Sequence, residues 1–327
     1  MAVLYLFAGL IIISVCIARF CFRKVFYSPM NRKCDPYALP RGEQYQRERE
    51  RMLSLVREMD GIPYEPVTIT AFDGTKLFGR YYHVRDGAPL QLQFHGYHGA
   101  ALRDFCGGNK LAREAGHNTL VVDQRAHGRS GGTVISFGIL ERQDCLAWAR
   151  YAVSRFGADT PVFLSGVSMG ASTVLMASEL ALPANIIGII ADCPYSSPEA
   201  IMRKVCRVDM HLPPALVLPF IRLGARLFGH FDIRESDAVR AVKNTGVPIL
   251  LLHGEDDRFV PCEMSREICA ACAGDITCVT FPDAGHGLSY IVDTEKYENE
   301  VARFVNRCLQ SFGGGQCRGN DIKTECD

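Results

Sequence analysis

The chain has 327 residues, 48% hydrophobic and 22% charged, which gives enough apolar material for one large core and excludes a fibrous or wholly disordered protein. Its 36 basic and 36 acidic residues cancel to a formal net charge of zero, so no basic field gathers nucleic acid, and that class of partner is set aside.

Residues 2–18 read AVLYLFAGLIIISVCIA, with Ser14 the one polar side chain, and the run continues past Arg19 through Phe20-Cys21-Phe22. A bilayer core takes about 20 mostly apolar residues as a helix, and the stretch from Ala2 to Phe22 supplies them if Arg19 snorkels to the interface. No small-x-small cleavage site follows, and Arg19, Arg23, Lys24, Arg32 and Lys33 all come after the apolar run, whereas a cleaved signal carries its charge before it. Residues 1–24 are therefore expected to be a single-pass membrane anchor, and the positive-inside rule puts the bulk of the chain in the cytoplasm. The 14 cysteines are scattered without a disulfide-scaffold spacing, which fits reduced thiols. Cys269-Ala270-Ala271-Cys272 is a lone CxxC on a helical pattern with no second ligand pair, so it reads as packing rather than a metal site.

Ser28-Pro29, Asp35-Pro36 and Leu39-Pro40 interrupt regular structure, and the charged run from Glu43 to Met59 then sets Met52, Leu55, Val56 and Met59 at spacings of three and four. Residues 25–62 are expected to form a linker and a lead-in helix with one apolar face. From Glu65 a hairpin pattern appears, Val67 to Ala71, the turn Phe72-Asp73-Gly74-Thr75, then Lys76 to Val84. Six short apolar runs follow, starting at Leu90, Thr119, Pro161, Ile186, Val247 and Ile276, most of them separated by helical patterns. Buried runs alternating with helices predict an α/β fold, a mostly parallel eight-stranded sheet covered on both faces with the hairpin as its antiparallel edge.

In such a sheet the chemistry gathers in the loops at the carboxyl ends of the strands. After the strand ending at Phe94 comes His95-Gly96-Tyr97-His98-Gly99, whose backbone can approach a ligand closely; the Tyr97 N–H is a candidate oxyanion donor, and His95 is assigned to shaping the loop. After the strand ending at Leu164 comes Gly166-Val167-Ser168-Met169-Gly170, directly before a helix-like stretch. A serine on a sharp strand-to-helix turn needs small residues two positions to either side, and the turn lifts its hydroxyl clear of the sheet. The Met169 N–H, at the helix start, then faces any oxyanion formed on Ser168.

The last two strands end in His253-Gly254-Glu255-Asp256-Asp257-Arg258-Phe259-Val260-Pro261 and Pro282-Asp283-Ala284-Gly285-His286-Gly287. Serine is a poor nucleophile at neutral pH; it needs an imidazole to take its proton and a carboxylate to hold that imidazole. Of nine histidines, His286 stands in a glycine-flanked loop after the last strand and is the candidate base, with the acid drawn from the preceding loop.

These residues resemble the α/β-hydrolase superfamily, in its serine-hydrolase branch of membrane-anchored esterase-like and serine-aminopeptidase-like members, over roughly residues 63–312. The resemblance rests on the GVSMG elbow, the HGYHG loop, the loop from Asp123 to Ser130, the HGEDDRFVP loop and the AGHG loop. It implies that Asp257, the fifth position of the HGxxDxxVP pattern, is the acid, with Asp256 as fallback, and that His127 is structural. Ala126 stands where the family usually has glycine, a departure that touches loop shape. It implies Ser168, Asp257 and His286 as the catalytic set, Tyr97 and Met169 as the oxyanion hole, and a small-molecule or lipid-like acyl substrate. No metal or cofactor is expected, since neither a GxxxxGK[ST] nor a GxGxxG fingerprint is present. An ester or thioester hydrolase leads; a serine peptidase of the aminopeptidase type and a non-catalytic membrane-tethered interaction protein are the alternatives. A helical cap insert is expected at about residues 195–245, placed to form an acyl pocket, and the glycine-rich then polar tail 313–327 is expected to be disordered.

Overall fold

The computed structural model describes residues 1–29 and 35–320. Its centre is one eight-stranded sheet: β1 (Glu65–Thr70), β2 (Lys76–Tyr82), β3 (Leu90–Phe94), β4 (Asn118–Asp123), β5 (Val162–Val167), β6 (Ile186–Asp192), β7 (Ile249–Gly254) and β8 (Ile276–Phe281). They lie side by side in the order β1-β2-β4-β3-β5-β6-β7-β8. The β1–β2 and β2–β4 pairs are antiparallel and the remaining pairs parallel, as the hairpin and the alternating runs predict.

The helices, in chain order, begin with α1 (Ala2–Val25), α2 (Glu43–Arg47), α3 (Arg49–Asp60), α4 (Ala101–Asp104), α5 (Cys106–Glu114) and α6 (Glu141–Phe156). They continue with α7 (Met169–Ala177), α8 (Pro198–Lys204), α9 (Pro214–Gly224), α10 (Ala238–Ala241), α11 (Cys262–Ala271), α12 (Ser289–Val292) and α13 (Thr294–Asn320). One sheet face packs Leu92, Val122 and Leu164 against Trp148 and Ala149 of α6 and Val174 and Leu175 of α7. The opposite face packs Phe163, Ile190 and Leu250 against Val301, Phe304 and Val305 of α13. The strands in the middle are apolar on both sides because both sides are covered, which is why their sequences read as continuous apolar runs.

The insert folds as α8 and α9, each continued by a π-helical turn, Val205–Asp209 and Ala225–Gly229. Its core is shared with α1: Ala18 and Phe22 of α1, then Phe26, are buried against Leu218 and Ile221 of α9 and against Phe231. Gly224 of α9 lies so close to the Ala18 carbonyl that an added Cβ would overlap it. Beyond α1 the chain is tied down as an extended bridge, Tyr27 opposite Val134, with Ser28 N donating to the Thr133 carbonyl at 2.9 Å. The lead-in segment forms α2 and α3, broken at Glu48, and buries Met52, Val56 and Met59 as their spacing predicts.

The cysteine expectation needs one correction. Cys269 of α11 is joined to Cys278 of β8 by a disulfide, their Cα atoms 6.5 Å apart. The chain turns back from α11 into β8 and brings the two side chains together, whereas Cys272, the other half of the CxxC, stays free. With Cys272, nine cysteines among the described residues are free thiols, most of them buried. At the other end of the fold, α13 runs on to Asn320 through part of the tail expected to be disordered; residues 321–327 lie outside the described residues.

Candidate active site

Three strand ends meet at Ser168. β5 stops one residue before it, α7 starts one residue after it, and Ser168 itself takes φ 56°, ψ −117°, a conformation that costs an L-residue on the order of 1–3 kcal/mol. The two glycines make the turn possible. A Cβ on Gly166 would overlap the Gly170 carbonyl group, and one on Gly170 would overlap the Phe94 carbonyl oxygen at the end of β3.

His286 follows β8. Its Nε2 lies 2.9 Å from Ser168 Oγ and its Nδ1 lies 2.6 Å from Asp257 Oδ2. A carboxylate can only accept, so Nδ1 carries the proton and donates to Asp257, which leaves the Nε2 lone pair to accept the serine hydroxyl. Asp257 Oδ1 accepts from the N–H groups of Phe259 and Val260, both at 2.8 Å. Burial on its own would raise the Asp257 pKa, but hydrogen bonds from His253 and His286 outweigh it and hold the carboxyl far below the usual carboxylate range. Asp257 therefore stays ionised. Asp256 is exposed and makes no side-chain contact with His286, which leaves Asp257 as the carboxylate on the imidazole.

The loop after β3 abuts Ser168. Gly96 packs against the Ser168 side chain, and its N–H is anchored to Asp104 Oδ2 at 2.9 Å. Tyr97 is the next residue, and its side-chain hydroxyl donates to the Val25 carbonyl at 2.9 Å, tying the loop to the end of α1. Met169 opens α7, where the first N–H groups of a helix have no partner within it. His95 is fully engaged in the frame: Nδ1 donates to the Gly96 carbonyl at 2.8 Å and Nε2 accepts from Gln124 N at 3.0 Å. His127 likewise accepts from His98 N at 3.0 Å and donates to the Arg125 carbonyl at 2.8 Å.

Several residues at the site had not been singled out from the sequence. His253, buried at the end of β7, places Nε2 3.2 Å from Asp257 Oδ2 and 2.9 Å from the Val260 carbonyl, so it braces the acid loop. Tyr45 of α2 donates its hydroxyl to the His286 carbonyl at 2.7 Å, and the Phe259 ring meets the His286 ring edge-on at 5.1 Å between centroids. Cys193 lies beside Asp257 and His286, with ligand-type atoms of the three all within 4.8 Å of one another. That is the one His/Cys/Asp/Glu group with metal-ligand spacing among the described residues. Two of its three members are already hydrogen-bonded to each other, and burial pushes the Cys193 thiol well above its ordinary pKa. His253 has a visible signal, its position at a strand end four residues before the acid; Tyr45 and Cys193 have none short of the fold.

A cavity of about 370 Å³ opens beside Ser168. Its outer wall is built from Pro40, Arg41, Tyr45 and Met52 of the lead-in segment with Phe259 and Ile291. No residue from the insert lines it. The expectation that the insert forms the acyl pocket is thus corrected, because the insert spends its apolar face on α1 and on Met169 and Met176 of α7. A wider depression of about 500 Å³ on the insert holds none of the residues around Ser168.

The profile of the alpha/beta hydrolase family matches residues 94–302, which span all five motif loops. Among curated proteins, the chain is 25% identical over 201 residues to the uncharacterized protein YqkD of Bacillus subtilis, covering 62% of this chain and 66% of that one. It is 27% identical over 197 residues to human protein ABHD12B, covering 57% of this chain and 50% of that one. The matched regions thus span about two thirds and half of these relatives' own lengths. Among solved structures, the fold is similar to the Pyrococcus furiosus esterase Pf2001, with a TM-score of 0.63 and 22% identity over 77% of this chain and 93% of that one. With the eight-stranded sheet and the family match over more than half its length, the chain belongs to the alpha/beta hydrolase family.

Proposed function

We propose that the protein is a serine hydrolase that cleaves a carboxylic ester or thioester through an acyl-enzyme on Ser168. The observation that carries this reading is the continuous chain from Ser168 Oγ to His286 Nε2 and from His286 Nδ1 to Asp257, standing beside a cavity of substrate size. Ser168 Oγ attacks the carbonyl carbon as its proton passes to His286 Nε2, and a tetrahedral oxyanion forms toward the Met169 and Tyr97 N–H groups. His286 returns the proton to the leaving alcohol or thiol as the bond to it breaks. A water molecule then gives its proton to His286, adds to the acyl carbon, and releases the acid with the hydroxyl restored on Ser168. Asp257, ionised throughout, holds the imidazole in the required tautomer.

A membrane site fits the same molecule. Among the described residues one helix, Val3–Val25, is long and apolar enough to cross a bilayer. Its second half buries Ala18 against Gly224 and carries Phe22 into the core of the insert, so removal of the helix as a signal would strip that core, and we propose that it stays as an anchor. The cations that follow it favour a cytoplasmic catalytic domain, as do nine free thiols against one disulfide among the described residues. Protease added to intact cells should leave the domain whole; digestion from outside would reverse the orientation.

The class of reaction is tested by turnover of p-nitrophenyl esters and thioesters beside aminoacyl anilides. Ester or thioester turnover that vanishes in Ser168→Ala is expected. Turnover of anilides alone would make the protein a peptidase.

A further inference from the structure

The inner end of the cavity is polar. Below Ser168 it runs along the sheet face that carries α13, where Ser165 of β5, Asp192 of β6 and Tyr297 of α13 line it. Side chains alternate along a strand, so Phe163, Ser165 and Val167 share this face, as do Ile190 and Asp192. Asp192 is 5% exposed, and its Oδ1 has no hydrogen-bond partner among the described residues. The Tyr297 hydroxyl donates to the same carboxyl, which leaves Oδ1 as its unpartnered atom. One strand over, Gln93 is paired in register with Ser165, fully buried, and neither its Oε1 nor its Nε2 has a partner among the described residues.

Resting on the hydrolase reading above, we propose that Asp192 is a specificity-determining residue, which accepts a hydrogen bond from a hydroxyl or ammonium group carried on the substrate's acyl chain. A buried polar atom left without a partner is costly, and a plain alkyl chain would leave Asp192 Oδ1 in that state and cover it further. A donor on the acyl group converts that cost into recognition, because a site built to accept a hydrogen bond rejects the analogue that lacks the donor. Ser165 adds a second polar group on the same wall, and the cavity therefore suits a short polar acyl group rather than a long hydrocarbon tail. Burial pushes the Asp192 pKa up to about 6, so at neutral pH the carboxyl is mostly ionised and acts as an acceptor.

The test compares p-nitrophenyl butyrate, 3-hydroxybutyrate and 3-aminobutyrate on the full chain in detergent, for the wild type, Asp192→Asn, Asp192→Leu and Ser165→Ala. Wild type is expected to favour a donor-bearing ester over butyrate at least tenfold in kcat/KM, the hydroxy and amino arms telling which donor. Asp192→Leu should bring that ratio to one or below, and Asp192→Asn and Ser165→Ala should narrow it. An equal or greater preference for butyrate in the wild type would overturn the proposal, as would a uniform loss on all three esters in the Asp192 variants, which is what a residue acting only through His286 would give. Turnover of none of the esters by folded wild type is a different failure, that of the hydrolase reading itself.

Discussion

Asp257 is the residue on which the electrostatics of the site converge. It is buried and yet ionised, because two histidines and two backbone N–H groups surround it. The choice between adjacent acids, left to a family pattern at the level of sequence, is a matter of direction in space: one side chain of the Asp256-Asp257 pair turns to His286 and the other to solvent. Asp257→Asn should reverse the hydrogen-bond preference at Nδ1 and lower kcat by about 10³- to 10⁴-fold, as loss of the orienting carboxylate does in comparable triads. Asp256→Asn should leave kcat within about twofold. Steady-state kinetics on the two variants decides it, and equal effects would mean that the acid is misassigned.

At the level of elements, the strands and their terminal loops were readable because each obeys a local rule: two strands match their apolar runs to the residue, and Gly166 and Gly170 are demanded by close backbone approach. What was not readable is which peripheral element covers Ser168. The insert is apolar and in the right part of the sequence for a lid, but its apolar face is taken by α1, and the charged, unremarkable α2 supplies Tyr45 instead. Nothing in a 3.6-residue period distinguishes a face packed on another helix from one packed on a substrate. Tyr45→Phe removes the hydroxyl that fixes the His286 carbonyl, and a net hydrogen bond of about 0.5–1.5 kcal/mol translates into roughly a two- to tenfold fall in kcat/KM. An unchanged kcat/KM would reduce α2 to a wall of the cavity. Gly170→Ala should yield no soluble, labelled enzyme, since the Phe94 carbonyl has no room to move within the sheet.

Across the whole molecule, α1 is as much a part of the fold as of any membrane. Phe22→Ala removes a side chain that is 6% exposed from the core shared by α1 and the insert, and should cost about 3–5 kcal/mol, read as a lower thermal midpoint of the detergent-solubilised chain. Acid stability has a separate origin. His117 is buried beside Gln91 and against the Phe163 ring, and burial, with the Arg85 charge adding, pushes its pKa down to about 4. The unfolded chain, with an ordinary value of about 6.5, binds a proton that the fold refuses between those limits, so the contribution of His117 falls as pH drops from about 6.5 to 4, by about 3 kcal/mol, against the opposite contribution of the raised Asp192 carboxyl. His117→Gln should raise the thermal midpoint at pH 4 relative to pH 6.5 compared with wild type; a midpoint-versus-pH curve parallel to wild type would show that His117 does not contribute. The central claim is that Ser168 is a nucleophile activated by His286 and Asp257, and fluorophosphonate labelling of the full chain tests it most directly. The wild type should take up one label per chain, with Ser168→Ala taking up none while keeping its thermal midpoint. Labelling that persists in Ser168→Ala, or its absence from folded wild type, would contradict the claim.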